Sequence, residues 1–303
     1  MDMLMDETGG IKPALVAGCG DIGLRVVRAL RRSGGEVTAI VRDPQKAGVL
    51  QALGAGVRIE DLDDPQDAGD WPWLFWFAPP PTNGGRDTRL RGWLAAQRGR
   101  IGRIVYISTS GVYGDCGGRW IDEDEPLKPR TARAQRRVDA ERALRDWSAA
   151  SGGEIVILRV PGIYGPGRLL VERLRQGLPV LRDEESSYSN RVHADDLAAA
   201  AILAAQRGRS GAVYHIADGQ PTTMADYFRR CARRLGLPEP QAVGRAEAQR
   251  CFTPAMWSFM EESKRLSIER ARRELGFVPR YPDLDAGLSA CFEPADPTDT
   301  EAA

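Results

Sequence analysis

The chain has 303 residues, and its 42 Lys and Arg residues balance 42 Asp and Glu residues, so the formal net charge is zero. A balanced charge gives no overall field that would draw nucleic acid or an acidic membrane, and it favours a small-molecule partner. Five scattered cysteines without a CxxC pair suggest neither a disulfide framework nor a zinc site. We expect reduced thiols, no metal, no membrane span and a cytoplasmic location.

An apolar run beginning at Ala14 stops at three glycines spaced GxGxxG, which are Gly18, Gly20 and Gly23. In such a turn the first glycine permits the tight bend, the second lets the backbone approach a pyrophosphate, and the third lets the next helix lie close to the strand. The amphipathic helix that follows aims its free N-terminal amides at the anion. A second strand over residues 36–41 completes a β-α-β unit. We interpret this unit as a dinucleotide-binding site, with an ordinary tight turn as the alternative.

Predicted strands and helices go on alternating along the chain, which is typical of a parallel sheet covered by helices. The aromatic run at 71–80 is too short for a comfortable helix and predicts a strand buried on both faces. The loop at 111–130 follows the carboxyl end of a strand, where open α/β sheets bind ligands, and its acid run at 122–125 predicts a solvated surface. The predicted strands are 56–62, 71–80, 103–110, 154–160 and 212–217, and the predicted helices are 44–53, 87–97, 131–150, 169–176, a helix capped by Asp195 or Asp196, 223–235, 254–262 and 267–275.

This order of elements divides the chain into two parts and a tail. Residues 12–218 are expected to form the sheet domain, with 161–189 reaching into a smaller, mostly helical substrate lobe at 219–292. Residues 293–303 offer nothing apolar to bury and are expected to be disordered.

Four further stretches accompany the glycine turn: VYISTSGVYGD from Val105, DAERAL from Asp139, LRVPGIYGPG from Leu158 and RVHADDLA from Arg191. In this order they resemble the extended short-chain dehydrogenases/reductases, the NAD-dependent epimerase/dehydratase family. FAPPPTNGGRDTRL and KRLSIERARRELGFVPRYP are similar to the atypical, YeeZ-like members of that group. The resemblance covers about residues 12–288 and implies an α/β Rossmann fold, with a doubly wound sheet of about seven strands and a helical substrate lobe.

The resemblance also implies which residues contact the cofactor. They are Gly18, Gly20, Asp21, Ile22 and Gly23 at the pyrophosphate, Asp61 and Leu62 at the adenine, Ala78 and Pro79 at the diphosphate and nicotinamide ribose, and Pro161, Gly162 and Ile163 at the nicotinamide. NAD-preferring relatives carry an acid after the second strand, where this chain has Arg42. We therefore predict NADP(H) over NAD(H), with Asp43 as the ribose-binding acid in a shifted register as the alternative.

The catalytic positions depart from the family pattern. The family's YxxxK pair falls on Arg133 and Arg137, and an arginine stays protonated and cannot replace a phenol as acid or base. Thr109 keeps the family's Ser/Thr position and is able to orient a carbonyl. Tyr113 and Tyr164 are the candidate substitute acids, with packed phenols whose hydroxyls are satisfied as the alternative. Arg133, Arg137 and Glu141 share a helical face, which predicts either a solvated row of ion pairs or an anion clamp.

Two functions from different classes follow from these residues. The first is an NAD(P)-dependent oxidoreductase or epimerase/dehydratase acting on a small polar, nucleotide-sugar-like substrate through an atypical site. The second is a non-catalytic NADP(H)-binding sensor or regulatory module. The missing YxxxK pair favours the module, whereas the retained Thr109, Tyr113 and PGIYGPG stretch favour a ligand site. The resemblance further implies a homodimer formed through helices 87–97 and 131–150.

Overall fold

The computed structural model describes residues 11–292, except for the side chain of Ala255, so the tail expected at 293–303 lies outside the described residues. The strands are β1 (Ala14–Ala17), β2 (Val37–Val41), β3 (Gly56–Ile59), β4 (Trp71–Trp76), β5 (Ile101–Thr109), β6 (Trp120–Ile121), β7 (Glu154–Val160), β8 (Gly162–Tyr164), β9 (Val180–Leu181), β10 (Tyr188–Ser189), β11 (Arg191–His193), β12 (Val213–His215), β13 (Thr222–Thr223), β14 (Ala242–Val243) and β15 (Arg265–Leu266). The helices are α1 (Asp21–Arg32), α2 (Pro44–Ala52), α3 (Thr88–Ala96), α4 (Ala132–Ser151), α5 (Val171–Arg175), α6 (Ala194–Arg207), α7 (Met224–Arg234), α8 (Arg245–Cys251), α9 (Pro254–Met260), α10 (Glu269–Leu275) and α11 (Leu284–Ala290).

A seven-stranded parallel sheet in the order β12-β7-β5-β4-β1-β2-β3 forms the centre of the molecule. The strand order reverses at β1, which pairs with β2 on one side and with β4 on the other. This arrangement confirms the predicted doubly wound α/β sheet, and it puts the glycine turn after β1 at the point where such sheets bind ligands.

Side chains that alternate along β4 reach opposite faces of the sheet, as the aromatic run predicted. Trp73 and Phe75 belong to the apolar cluster under α1, α2 and α6, whereas Leu74 and Trp76 belong to the cluster under α3 and α4. Burial on both faces explains why the strand is continuously apolar instead of alternating with polar residues.

A third apolar cluster forms a lobe beside the carboxyl ends of the strands. Its members come from 164–181 and from 224–288, so a segment following β7 packs with the C-terminal helices. Helix α7 begins as predicted, because the Thr223 hydroxyl accepts a hydrogen bond from the Asp226 amide. Helices α8 and α11 of this lobe were not predicted from the sequence.

The expected caps of α6 are wrong. The N-cap is His193, whose Nδ1 accepts from the Asp195 amide at 3.3 Å. The Asp196 carboxylate instead accepts hydrogen bonds from the backbone amides of Arg280 and Tyr281, at 2.8 and 3.1 Å. An acid in the first turn of a helix is therefore used here to hold a distant part of the chain.

The acid run at 122–125 is not simply a solvated surface. Glu123 is buried, accepts a hydrogen bond from the His215 amide at 2.9 Å and lies 3.4 Å from the Arg270 guanidinium. The predicted loop also contains β6, which pairs with β15. Among the described helices none is long and apolar enough to cross a membrane.

Candidate functional site

The glycine turn between β1 and α1 is shaped by two close approaches and one open space. Gly18 has φ +79°, and a Cβ there would lie 2.5 Å from the Ala78 Cα, so only glycine lets the turn touch the segment after β4. A Cβ at Gly23 would lie 3.1 Å from the Cys19 sulfur, which matches the close packing of α1 on the strand. A Cβ at Gly20 would meet no atom within 4 Å. The turn thus leaves room for an anion at the N-terminus of α1.

A cavity of about 350 Å³ opens beside this turn. Seven of the predicted cofactor residues line it: Gly18, Gly20, Arg42, Asp61, Leu62, Ala78 and Pro79. The lining also includes Asp43, the alternative ribose-binding acid, and residues that the sequence analysis did not select: Cys19, Ile40, Val41, Lys46, Glu60, Phe77 and Arg89. The cavity therefore runs from the glycine turn to the ends of β2, β3 and β4.

The charged side chains at the far end of the cavity differ in how they are held. Arg89 forms an ion pair with Asp63 at 2.6 Å and donates to the Pro79 carbonyl at 2.6 Å. Asp43 caps α2 by accepting from the Gln45 amide at 2.9 Å. Within residues 11–292, neither Arg42 nor Lys46 has a recorded hydrogen bond or ion pair. These two exposed cations therefore remain available to a ligand at this end of the cavity. The sequence analysis did not select Lys46, although a second cation four residues after Arg42 could have indicated it.

The remaining predicted cofactor residues do not line this cavity. Ile22 and Gly23 are buried against the sheet, and the Asp21 carboxylate is held by Arg25 and Arg168. Pro161 follows β7, whereas Gly162 and Ile163 lie in β8, which pairs with β11. A Cβ at Gly162 would collide with the Arg191 guanidinium, so this arginine lies directly against the loop that was expected to face the nicotinamide.

Thr109 and the backbone carbonyl that anchors Arg137 both lie near the carboxyl end of β5. The Thr109 hydroxyl oxygen accepts from the Gly111 amide at 3.2 Å, which leaves its own hydrogen able to donate to a ligand. One nitrogen of Arg137, Nη1, donates to the Ile107 carbonyl at 2.8 Å and to the Tyr106 hydroxyl at 3.0 Å. The guanidinium is thereby anchored two residues before Thr109, and its other N–H groups have no hydrogen bond recorded among the described residues.

Arg133 lies one turn before Arg137 on α4 and is exposed. Its guanidinium carbon lies 4.1 Å from the ring centroid of Phe259, a half-exposed residue of α9 in the helical lobe. A cation over an aromatic face at this distance is attracted by the ring quadrupole. Arg133 therefore spans the gap between the sheet domain and the lobe.

Tyr113 is buried inside the protein and cannot contact a ligand. The prediction that it is a substitute acid is therefore wrong. Its side chain is 1% exposed, and its hydroxyl accepts from Arg159 Nη1 at 2.7 Å and lies 2.5 Å from His215 Nε2. Burial raises the pKa of Tyr113 well above its ordinary value. Tyr164 is equally buried, donates to the Asp283 carbonyl at 3.4 Å and has a pKa raised by burial. Both phenols are packing residues with occupied hydroxyls.

Glu141 does not join a row with the two arginines of α4. It is buried, and its carboxylate accepts from Arg159 at 3.1 and 2.8 Å and from the Ser108 hydroxyl at 2.6 Å. The solvated ion-pair row is therefore wrong, and Arg133 and Arg137 are left without the carboxylate that the helical spacing had offered them.

Arg191 is a further cation that the sequence analysis did not select as a site residue. Its guanidinium lies 4.0 Å from the Tyr227 ring centroid, Nη2 donates to the Met224 sulfur at 2.8 Å, and Nε is buried without a hydrogen-bond partner in the described part of the chain. Burial lowers the pKa of Arg191, and no carboxylate within residues 11–292 forms an ion pair with it. Nearby Asp218 is buried, and burial raises its pKa to about 7.

A parallel doubly wound sheet with a GxGxxG turn at the reversal point and a cavity beside it defines a Rossmann-type dinucleotide-binding protein. The model of the NAD dependent epimerase/dehydratase family matches residues 87–217. Over these residues the chain is similar to this family, the extended short-chain dehydrogenases/reductases.

Individual relatives are similar over different lengths. The chain is 29% identical over 317 residues to the 3-diazoavenalumate denitrifying reductase of Streptomyces sp. The aligned region covers 90% of this chain and 98% of the relative. The chain is 31% identical over 185 residues to protein YeeZ of Escherichia coli strain K12, covering 61% of this chain and 60% of YeeZ. A functionally unknown conserved protein from Silicibacter pomeroyi DSS has a similar structure, with a TM-score of 0.75 and 30% identity over 92% of this chain and 98% of that one.

Proposed function

We propose that this chain is an NADP(H)-dependent oxidoreductase that reduces a small anionic substrate, with arginines standing where its family has a proton-transferring tyrosine. The observation that carries the proposal is the position of Arg137. Its guanidinium is fixed on the Ile107 carbonyl, two residues before Thr109, and keeps N–H groups that make no hydrogen bond to a described residue. Such a fork of fixed donors suits a carboxylate or phosphate.

The residues around the glycine turn fit a nicotinamide dinucleotide. The open space at Gly20 lies beside the free amides of α1, where a pyrophosphate binds in such folds. Arg42 and Lys46 line the far end of the cavity, where a 2′-phosphate would take two otherwise unpaired cations. The alternative acid, Asp43, already caps α2. When bound, the nicotinamide supplies or accepts a hydride.

Three cations outside the cavity support an anionic substrate. Arg191 is a largely buried guanidinium that forms no ion pair or hydrogen bond with a carboxylate of the described residues, and a buried charge is costly unless it is paired. Arg133 and Arg137 add two more positive charges on α4. A substrate with a phosphate or carboxylate at one end, such as a sugar nucleotide or a carbonyl acid, would satisfy these groups.

Reduction is favoured over epimerisation because neither phenol near the site is available as an acid or base. Hydride transfer needs a positioned electrophile, which Thr109 and Arg137 are able to hold, and the balancing proton then comes from water. The Streptomyces relative, of which this chain covers 98%, is named a reductase. We infer the same broad reaction class for this chain.

Single-turnover absorbance at the nicotinamide band tests the proposal. Protein loaded with NADPH is mixed with a panel of sugar nucleotides and small carbonyl acids. We expect at least one anionic compound to oxidise NADPH, and Arg137→Ala to slow that oxidation about a hundredfold, within the range of a positioned catalytic group. Arg142→Ala removes an exposed arginine from the same helix and serves as the matched control. Equal rates for both variants would contradict the role of Arg137.

A non-catalytic NADP(H)-binding module is the second candidate. The burial of Tyr113 and Tyr164 favours it, because this chain then has no accessible phenol to carry out the acid–base step that a tyrosine performs in the family. Tight NADPH binding without oxidation by any compound of the panel would support the module over the oxidoreductase.

A further inference from the structure

Asp21 is an unusual neighbour for a pyrophosphate. It is the first residue of α1 and follows Gly20 directly, so its carboxylate lies at the helix end that offers free amides to the anion. A dinucleotide pyrophosphate bound there would face a third negative charge on the same turn. The carboxylate must therefore be neutralised for the site to work.

Two arginines neutralise Asp21, and they come from different parts of the chain. Arg25, one turn further along α1, donates from Nε to Asp21 Oδ1 at 2.9 Å. Arg168, from the segment after β8, donates from Nη1 to Asp21 Oδ2 at 3.0 Å. The second bond ties the segment that leads into the helical lobe directly to the glycine turn.

The two arginines are not equally free to move. Arg25 is held by a second carboxylate, Asp195, at the start of α6. Arg168 has Asp21 as its one ion-pair partner among residues 11–292, and its Nε is buried there without a hydrogen-bond acceptor. If Arg168 left, Asp21 would keep Arg25. Arg168 is thus the guanidinium that a new anion would capture.

We propose that Arg168 moves from Asp21 to the pyrophosphate when the dinucleotide binds, and so clasps the cofactor from the side of the substrate lobe. This inference rests on the proposed function, because it assumes that a dinucleotide binds at the glycine turn. Asp21 is then the resting partner that keeps Arg168 beside the site while the cofactor is absent. The exchange lets cofactor binding fix the segment at 165–170, which leads into the substrate side of the cleft.

Equilibrium binding of NADPH and NADH to wild type, Arg168→Ala, Asp21→Asn and the double variant tests the clasp. We expect Arg168→Ala to weaken both dinucleotides at least tenfold, since both carry the same pyrophosphate, and Asp21→Asn to bind them as tightly as wild type or more tightly. The double variant should be weakened, relative to Asp21→Asn, by at least the same factor as the single Arg168→Ala, because no bond to Asp21 has to be given up. Adenosine 2′-monophosphate, which has no phosphate at the pyrophosphate position, should bind wild type and Arg168→Ala equally. Arg175→Ala, an exposed arginine of the nearby α5, is the matched control and should change nothing.

Three outcomes would overturn the clasp. Unchanged dinucleotide affinity in Arg168→Ala would mean that the guanidinium never reaches the pyrophosphate. Full recovery of affinity in the double variant would mean that Arg168 only neutralises Asp21. Folded wild-type protein that binds neither dinucleotide would refute the proposed function together with the clasp, whereas the first two outcomes leave the proposed function intact.

Discussion

Glu141 and Arg159 form an ion pair with two hydrogen bonds inside the molecule, from Nε to Oε1 at 3.1 Å and from Nη2 to Oε2 at 2.8 Å, with side chains 2% and 4% exposed. The pair joins α4 to β7. Because Glu141 also accepts from Ser108, the residue before Thr109, it fixes the end of β5 on which the site is built.

We predict that Glu141→Ala lowers the free energy of unfolding by about 3–5 kcal/mol, because Arg159 would remain as a buried, unpaired charge. Urea unfolding followed by circular dichroism measures the loss. Arg142→Ala, one residue away and exposed, should change stability by no more than about 0.5 kcal/mol. A loss below about 1 kcal/mol for Glu141→Ala would show that the pair contributes little.

Two glycine variants should separate folding from cofactor binding. Gly20→Ala adds a methyl group where no protein atom lies within 4 Å, so the free energy of unfolding should stay within about 1 kcal/mol while NADPH affinity falls at least tenfold. Gly18→Ala places a methyl group against Ala78 at φ +79° and should destabilise the fold itself by about 1–3 kcal/mol or more. Unfolding curves and NADPH titrations of both variants check this, and equal NADPH affinity in Gly20→Ala and wild type would count against the pyrophosphate position.

Arg42 should decide between the two dinucleotides. Arg42→Ala removes a charge-assisted hydrogen bond of ~1.5–3 kcal/mol to the 2′-phosphate, so NADPH should bind about ten- to a hundredfold more weakly and NADH nearly unchanged. Lys46→Ala should act in the same direction. Calorimetric titration measures both affinities, and equal losses for NADPH and NADH would reject the assignment.

His215 should make the free energy of unfolding decrease at acidic pH. Burial lowers its pKa from the ordinary 6.5 to about 3, and its ring bridges the Ser267 carbonyl and the Tyr113 hydroxyl. The carbonyl only accepts, so Nδ1 carries the hydrogen and Nε2 accepts from Tyr113. The unfolded chain takes up a proton near pH 6.5 while the folded chain does not, so the stabilisation is complete above that pH and falls by up to about 1.4 kcal/mol per pH unit as the pH drops toward 3.

A comparison with His215→Asn isolates this effect. The variant keeps a donor toward Ser267 but does not titrate, so it should be less stable at pH 8 and should lose about 2 kcal/mol less than wild type between pH 8 and pH 5. Urea unfolding at the two pH values measures the difference. Parallel losses in both proteins would show that His215 is not protonated on unfolding.

The structural features that were predicted correctly from the residues themselves depend on side chains close together in the sequence. The predicted helix starts at 87, 131 and 223 depend on Asp87, Thr131 and Thr223, each of which accepts a hydrogen bond from the backbone amide three residues further on. The glycine turn and the buried strand at 71–76 likewise depend on a few adjacent residues. The seven-strand count and the cavity residues Asp61 and Ala78 came from family resemblance, which carries long-range information that periodicity lacks.

The predictions that failed concern residues whose hydrogen-bond or ion-pair partners lie far along the chain. Tyr113 and His215 are 102 positions apart, and nothing near either residue shows that the phenol is engaged inside. Glu141 was assigned to arginines one and two turns away, but its partner is Arg159 on β7. The homodimer expected through α3 and α4 and the assignment of Arg133 and Arg137 to the reaction stay predictions.

The contacts between Tyr164 and α11 bear on how the chain folds as it is made. β1 finds both its sheet neighbours within residues 14–76, so half of the sheet is able to pair early. Tyr164 instead packs on Gly287, where a Cβ would collide with its ring. At roughly 5–20 residues per second, the intervening stretch of about 120 residues takes on the order of 6–25 s to synthesise. During that interval we expect the unfinished lobe, not the glycine turn, to be open to proteases and chaperones, which pulse proteolysis of stalled nascent chains would reveal.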